Sequence, residues 1–288
     1  MFQKSKEIQG HSGAIYSCAF DGKYIYTGSA DKFVTRWNLK EGTQDNFAIK
    51  FEQSVYALEV NQTTLFVGLS DGSVHIFDLE QRKELKFFKQ HKEAIFSITV
   101  NPIKAHLYVG DSDGNVSVWD SNTFELLIYI PLNAGKVRDI AVDENGERFA
   151  LACQDGTMRI FESSYFNEVS TINAHKDGAT SVLFQDNQII SGGKDAMIRL
   201  WSLSDDSKVL EIPAHNYAVY GINQVGDSIV SISRDKTVKV WSSELDFSKR
   251  LDLKEGGHRH SVNDMVVLNE NEFATVGDDK RIILWSRT

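Results

Sequence analysis

Proline is scarce, with three in 288 residues. Proline breaks strand ladders, so few extended segments are interrupted. Cysteine is scarcer: Cys18 and Cys153 each sit inside an apolar-patterned segment. Two isolated thiols make no disulfide framework, and a reducing compartment is expected. No stretch approaches the ~18 apolar residues that mark a membrane-spanning helix. The opening Met1-Phe2-Gln3-Lys4-Ser5 lacks the apolar centre of a secretion signal. A cytoplasmic protein with no membrane attachment is therefore expected. Lys and Arg form no run, and the formal net charge is -9. Such a chain is repelled by phosphate backbones unless it carries a separate basic face. Apolar residues, by contrast, make up 41% of the chain. That supports a sizeable core and excludes disorder.

What is there is a repeat. An Asp followed six residues later by an aromatic occurs as Asp31/Trp37, Asp71/Phe77, Asp113/Trp119, Asp155/Phe161, Asp195/Trp201, Asp235/Trp241 and Asp279/Trp285. The aromatics are 40, 42, 42, 40, 40 and 44 residues apart, and all five tryptophans fall at this position. His11, His91, His175, His215 and His258 precede their aromatics by 26 to 28 residues.

Within each unit the apolar pattern has period two. In the first unit it predicts strands over 14–20, 24–27, 33–37 and 47–51. These runs are short, rich in β-branched and aromatic residues, and bounded by Gly, Asp or Asn. Asp71-Gly72, Asp113-Gly114 and Asp155-Gly156 lie between the second and third strands. That dipeptide suits a tight hairpin needing positive φ.

Units of about 40 residues with four strands, ending in Trp and a polar residue, resemble the WD40 family. The resemblance covers the whole chain. The name-giving pair is complete only at Trp119-Asp120. It drifts to Trp37-Asn38, Phe77-Asp78, Phe161-Glu162, Trp201-Ser202, Trp241-Ser242 and Trp285-Ser286. The resemblance implies an all-β, seven-bladed β-propeller of four-stranded antiparallel blades, with residues 1–288 as a single propeller domain. The last repeat lacks its fourth strand, while Ser5-Lys6-Glu7-Ile8-Gln9 is surplus at the start. Residues 5–9 are expected to pair with the strand around Ile282-Ile283-Leu284, so that the N-terminal strand completes the C-terminal blade.

The resemblance also implies a buried chain of Trp, hydroxyl, His and Asp in each blade. The sets would be His11/Thr27/Asp31/Trp37, His175/Ser191/Asp195/Trp201, His215/Ser231/Asp235/Trp241 and His258/Thr275/Asp279/Trp285. Trp only donates, hydroxyl and neutral His do both, and Asp accepts. The second and fourth repeats replace Trp by Phe77 and Phe161, and the hydroxyl by Val67 and Leu151. Neither has a matching His, so their Asp71 and Asp155 are assigned to the turn. In the third, His91, Asp113 and Trp119 remain but Val109 replaces the hydroxyl. A water or a shifted ring is expected there.

A Ser–His–Asp set invites comparison with a hydrolase triad. Four copies in one domain point to architecture instead, and no catalytic residue is assigned. His258 and His260 lack a third metal ligand nearby in sequence, so no metal site is assigned. Asp111-Ser112-Asp113-Gly114-Asn115 misplaces the glycine of a calcium loop, and position twelve would be Asn122. His75 and His106 read as ordinary strand or loop residues. No phosphate-binding glycine loop or metalloprotease pattern occurs, and no cofactor is expected.

In the resembled family the narrow end of the ring often binds peptides, and two repeat positions reach it. The first reads Tyr16, Tyr56, Phe96, Arg138, Thr180, Tyr220 and Asn263, and the second Ala30, Ser70, Ser112, Gln154, Lys194, Arg234 and Asp278. Aromatics and Arg anchor interfaces. Tyr16, Tyr56, Phe96, Arg138, Tyr220, Lys194, Arg234 and Asp278 are therefore the candidate partner-binding residues. The expectation is a non-catalytic scaffold for a peptide or protein, monomeric outside a complex. A nucleic-acid-binding propeller, stacking bases on the aromatics and using a local basic patch of Arg138, Lys194 and Arg234, is one alternative, disfavoured by net charge. A small-molecule-binding propeller is another.

Overall fold

A computed structural model describes residues 1–288. It is a seven-bladed β-propeller built from seven four-stranded antiparallel sheets. The first blade runs Ile15–Phe20, Tyr24–Ser29, Phe33–Asn38 and Thr43–Lys50 in spatial order. Its fourth strand starts earlier than the apolar pattern of 47–51 suggests. The register slips between Thr35 and Trp37, and the strand then resumes with Trp37 opposite polar Gln44. A period-two apolar pattern does not see across such a bulge. The one helical element is a 3₁₀ turn, Leu253–Glu255. No helix is long and apolar enough to cross a membrane.

The chain divides into two compact units: residues 1–62 with 220–288, and residues 63–219. In the first, Phe2–Gln9 pairs antiparallel with Arg281–Arg287 and completes the sheet of Val262–Asn269 and Glu272–Gly277. Lys6, Glu7 and Ile8 face Leu284, Ile283 and Ile282. The pairing extends past residue 5 to Phe2, because Phe2 is buried against Phe273 at 5.1 Å. The core of this unit includes Phe2, Val240, Leu251, Phe273 and Trp285, with a second cluster around Ile8, Ile25 and Trp37. In the other unit, Tyr108, Phe149, Leu151 and Phe161 form one cluster, and Ala150, Ile160, Ile189 and Trp201 another.

Asp-Gly turns place Gly72, Gly114 and Gly156 at φ of 84°, 86° and 95°. Lys32, Ala196, Lys236 and Lys280 hold the same turn position at positive φ without glycine's freedom.

Candidate functional site

The conspicuous Trp, His and hydroxyl side chains lie inside the sheets. In the first blade Trp37 Nε1 donates to Thr27 Oγ1 at 2.7 Å. His11 Nε2 meets the same oxygen at 2.8 Å, and His11 Nδ1 meets Asp31 Oδ2 at 2.9 Å. His175, Ser191, Asp195 and Trp201 form the same chain over 2.8–2.9 Å. So do His258, Thr275, Asp279 and Trp285, each link 2.9 Å. Trp241 Nε1 donates to Ser231 Oγ at 2.9 Å; Thr237 donates to Asp235, and His215 is buried. Trp has only a proton to give, so the hydroxyl accepts it and passes its own to Nε2. That leaves Nδ1–H for the carboxylate. Thr27, Ser191 and Thr275 are fully enclosed, whereas a nucleophile must reach substrate. Burial raises the Asp279 carboxyl, yet bonds from His258, Arg259 and Arg281 hold it well below the carboxylate range.

The third blade differs from the expectation. His91 Nδ1 meets Asp111, not Asp113, at 2.7 Å. The hydroxyl is Ser117, 2.7 Å from His91 Nε2 and accepting Trp119 Nε1 at 2.8 Å. Val109 and Ser117 are directly paired across the ladder. Paired residues share a sheet face, so the hydroxyl has moved one strand over and the chain is intact. Asp111 also accepts the amides of Asp113 and Asn115, and Asp113 is exposed. In the fourth blade Leu151 and Phe161 join an apolar cluster instead. Asp71 and Asp155 accept turn bonds from Ser73 and Thr157.

The candidate binding residues stand at two repeated places in the blades. Tyr16, Tyr56, Phe96, Arg138, Thr180, Tyr220 and Asn263 are each the second residue of their blade's first strand. Register shifts between Ile15 and Ser17, Ile95 and Ser97, Val137 and Asp139, Ala179 and Ser181, and Val262 and Asp264. Tyr16, Phe96, Arg138, Thr180 and Asn263 are therefore the extra residues of β-bulges. A bulge re-aims a side chain out of the pleat. The residues before them, Ile15, Ile95, Val137, Ala179 and Val262, are buried. Ala30, Ser70, Ser112, Gln154, Lys194, Arg234 and Asp278 each open the turn after the second strand.

In the first unit the rings of Tyr16 and Tyr56 meet edge to face at 5.0 Å. Burial, then Tyr56 and Asp278, push the Tyr16 hydroxyl up. Asn263 Nδ2 donates to Asp278 Oδ1 at 2.8 Å and to Ile15 O at 2.9 Å. This group is aromatic and anionic. Tyr220 leans on the apolar cluster, and Arg234 is exposed. In the second unit Phe96 lies 4.7 Å from Lys136 Nζ and 5.0 Å from Arg138 Cζ. The fields of Arg138 and Lys194 both reach Lys136, so that group is cationic. Lys136 escaped the sequence reading because it lies outside both repeat positions.

Carboxylates on the first strands were also missed. Asp139 accepts Val182 N at 2.9 Å and Ser181 Oγ at 3.0 Å, tying the fourth blade to the fifth. Asp264 accepts Cys18 N at 2.8 Å, tying the seventh to the first. The visible signal was a lone acid among apolar strand residues. Glu59 keeps partial solvent contact, yet burial and then the Asp264 charge push its carboxyl up to about 8. Below the ordinary carboxylate range this group costs no stability. Between there and pH 8 the unfolded chain sheds the proton that the folded one keeps, and stability falls. Glu59→Gln is therefore expected to raise Tm more at pH 8 than at pH 5 in thermal melts. An equal difference at both pH values would contradict this.

The sequence matches the family model described as WD40: WD domain, G-beta repeat, at residues 2–38, 82–120, 166–202 and 206–242, just over half the chain. It is also similar to a Gallus gallus protein named p21-activated protein kinase-interacting protein 1-like, 25% identical over 93 residues. That match spans 32% of this chain and 25% of the relative's length.

Proposed function

The chain belongs to the WD40-repeat family, and from that premise we propose that it is a non-catalytic scaffold that binds a peptide or protein partner through the bulged positions of its first strands. WD40 propellers are generally protein-interaction scaffolds. The observation that carries the reading is the repeated bulge, which presents Tyr16 and Phe96 at the same place in the first and third repeats. Partly exposed aromatics beside fixed charges are the residue types that anchor interfaces. The relative's name refers to an interaction with a protein kinase, which supports a protein as the partner's class. The net charge of -9 runs against a nucleic acid.

The test is affinity purification from a lysate of the source cells with quantitative mass spectrometry. Wild type is compared with Tyr16→Ala/Phe96→Ala/Tyr220→Ala. Partner yield is expected to fall at least tenfold while the thermal melt stays cooperative. Equal yield of the same partners would sink the proposal.

A further inference from the structure

The second unit concentrates positive charge that the chain as a whole does not have. Lys136 and Arg138 flank the buried Val137 where the first strand of the fourth blade bulges. Their cationic heads both lie within cation–π distance of the Phe96 ring. Those two distances bound their separation at about 10 Å. Lys194 opens the neighbouring turn, and its side chain lies across Gly178, where an added Cβ would come 3.2 Å from Lys194 Cδ. All four side chains are half-buried. Burial, and then mutual repulsion with Arg138, lower the ammonium groups of Lys136 and Lys194. Exposed Asp177 offsets part of the field at Lys194. Lys136 and Arg138 are thus held at one ring, with Lys194 near enough to repel both, and an anion among them relieves that repulsion.

We infer that Lys136 and Arg138, held at the Phe96 ring, and the neighbouring Lys194 form a receptor for the phosphate monoester of a phosphorylated peptide side chain. Three cationic side chains of the fourth and fifth blades share this place. A phosphate monoester carries about -1.5 to -2 at neutral pH and three acceptor oxygens. A single carboxylate brings one charge and two oxygens. The planar Arg138 guanidinium can hold two phosphate oxygens at once, and the lysines act as point charges. A polynucleotide would carry its further phosphates onto an acidic chain, whereas one phosphate on a peptide would not. Phe96 then offers apolar area to the residue beside the phosphate. This inference rests on the proposed binding role of the bulged positions and names the chemistry recognised at one of them.

The experiment is fluorescence anisotropy with two labelled degenerate peptide pools. One has a fixed central phosphoserine or phosphothreonine, and the other a fixed glutamate. Wild type is expected to bind the phosphorylated pool at least tenfold more tightly than the glutamate pool. Lys136→Gln/Arg138→Gln/Lys194→Gln is expected to lose that tenfold, and Arg138→Lys to fall between. If the triple variant does not melt cooperatively, Lys194→Gln alone decides, with at least a threefold loss expected. Equal binding of the pools, no binding of either, or full retention by the variants would overturn the inference. So would free O-phosphoserine or inorganic phosphate binding as tightly as the peptide pool. The lysate capture separates the two readings. Loss with the aromatic variant but not with the charge variant leaves the scaffold and removes the phosphate receptor. Retention with both removes both.

Discussion

Deleting residues 1–9 is expected to lower Tm by roughly 10 °C or more and to make the protein aggregate on heating. The segment contributes Phe2 and Ile8, each 2% exposed. Burying two such side chains stabilises by about 1.5–3 kcal/mol each. At about 1.7 °C per kcal/mol for a chain of this length, those side chains alone account for about half of the shift or more. Further ties go with them. Lys6 Nζ donates to Leu39 O and Lys40 O, both at 2.8 Å. Glu7 accepts from Arg281 at 3.1 Å, and the chain ends meet where Met1 N donates to Thr288 O at 2.9 Å. The deletion also bares the edge of Arg281–Arg287, a row of unpaired amides and carbonyls that can template intermolecular pairing. Calorimetry and light scattering check both effects. Phe2→Ala/Ile8→Ala separates them, since it removes the apolar burial but keeps the edge covered. An unchanged melting transition in the deletion variant would refute this account of the terminal strand.

That pairing was legible because it followed from counting: one strand short at the end, one over at the start. The seven aromatics were legible for the same reason, since spacing survives where residue identity drifts. The third blade was not. A fixed offset from Trp119 lands on Val109, and the missing hydroxyl belongs to Ser117, adjacent only once the ladder pairs the two. Sequence offsets describe one strand, whereas polar satisfaction is settled across strands. The same limit hid the cationic group. Arg138 and Lys194 hold repeat positions, but Lys136 joins Arg138 at the Phe96 ring, a contact that no period encodes. The bulges left no apolar signature either. They acted only by keeping the offset from the His marker constant.

The enclosed polar chains give the other large effect. Thr275→Val nearly preserves shape but removes the oxygen that accepts Trp285 Nε1 and meets His258 Nε2. Two buried groups are then stranded, at about 1–3 kcal/mol each, so a loss of roughly 2–6 kcal/mol is expected in urea unfolding. Trp285→Phe alone should cost less through the hydrogen bond, because Thr275 keeps His258. The informative variant is the pair. Once Thr275 is Val, the Trp285 N–H has no acceptor, and Phe at 285 removes the stranded donor. The double substitution should therefore cost at least about 1 kcal/mol less than the sum of the singles, within the range for residues in one network. The molecule already contains the finished version of this experiment. In the fourth blade Leu151 and Phe161 hold the equivalent places inside an apolar cluster, with Leu151 fully buried. The partners left together there, and the sheet closed over the apolar replacements. Strict additivity in the seventh blade would mean that the hydroxyl and the indole act independently, and the view of each chain as one unit would fail.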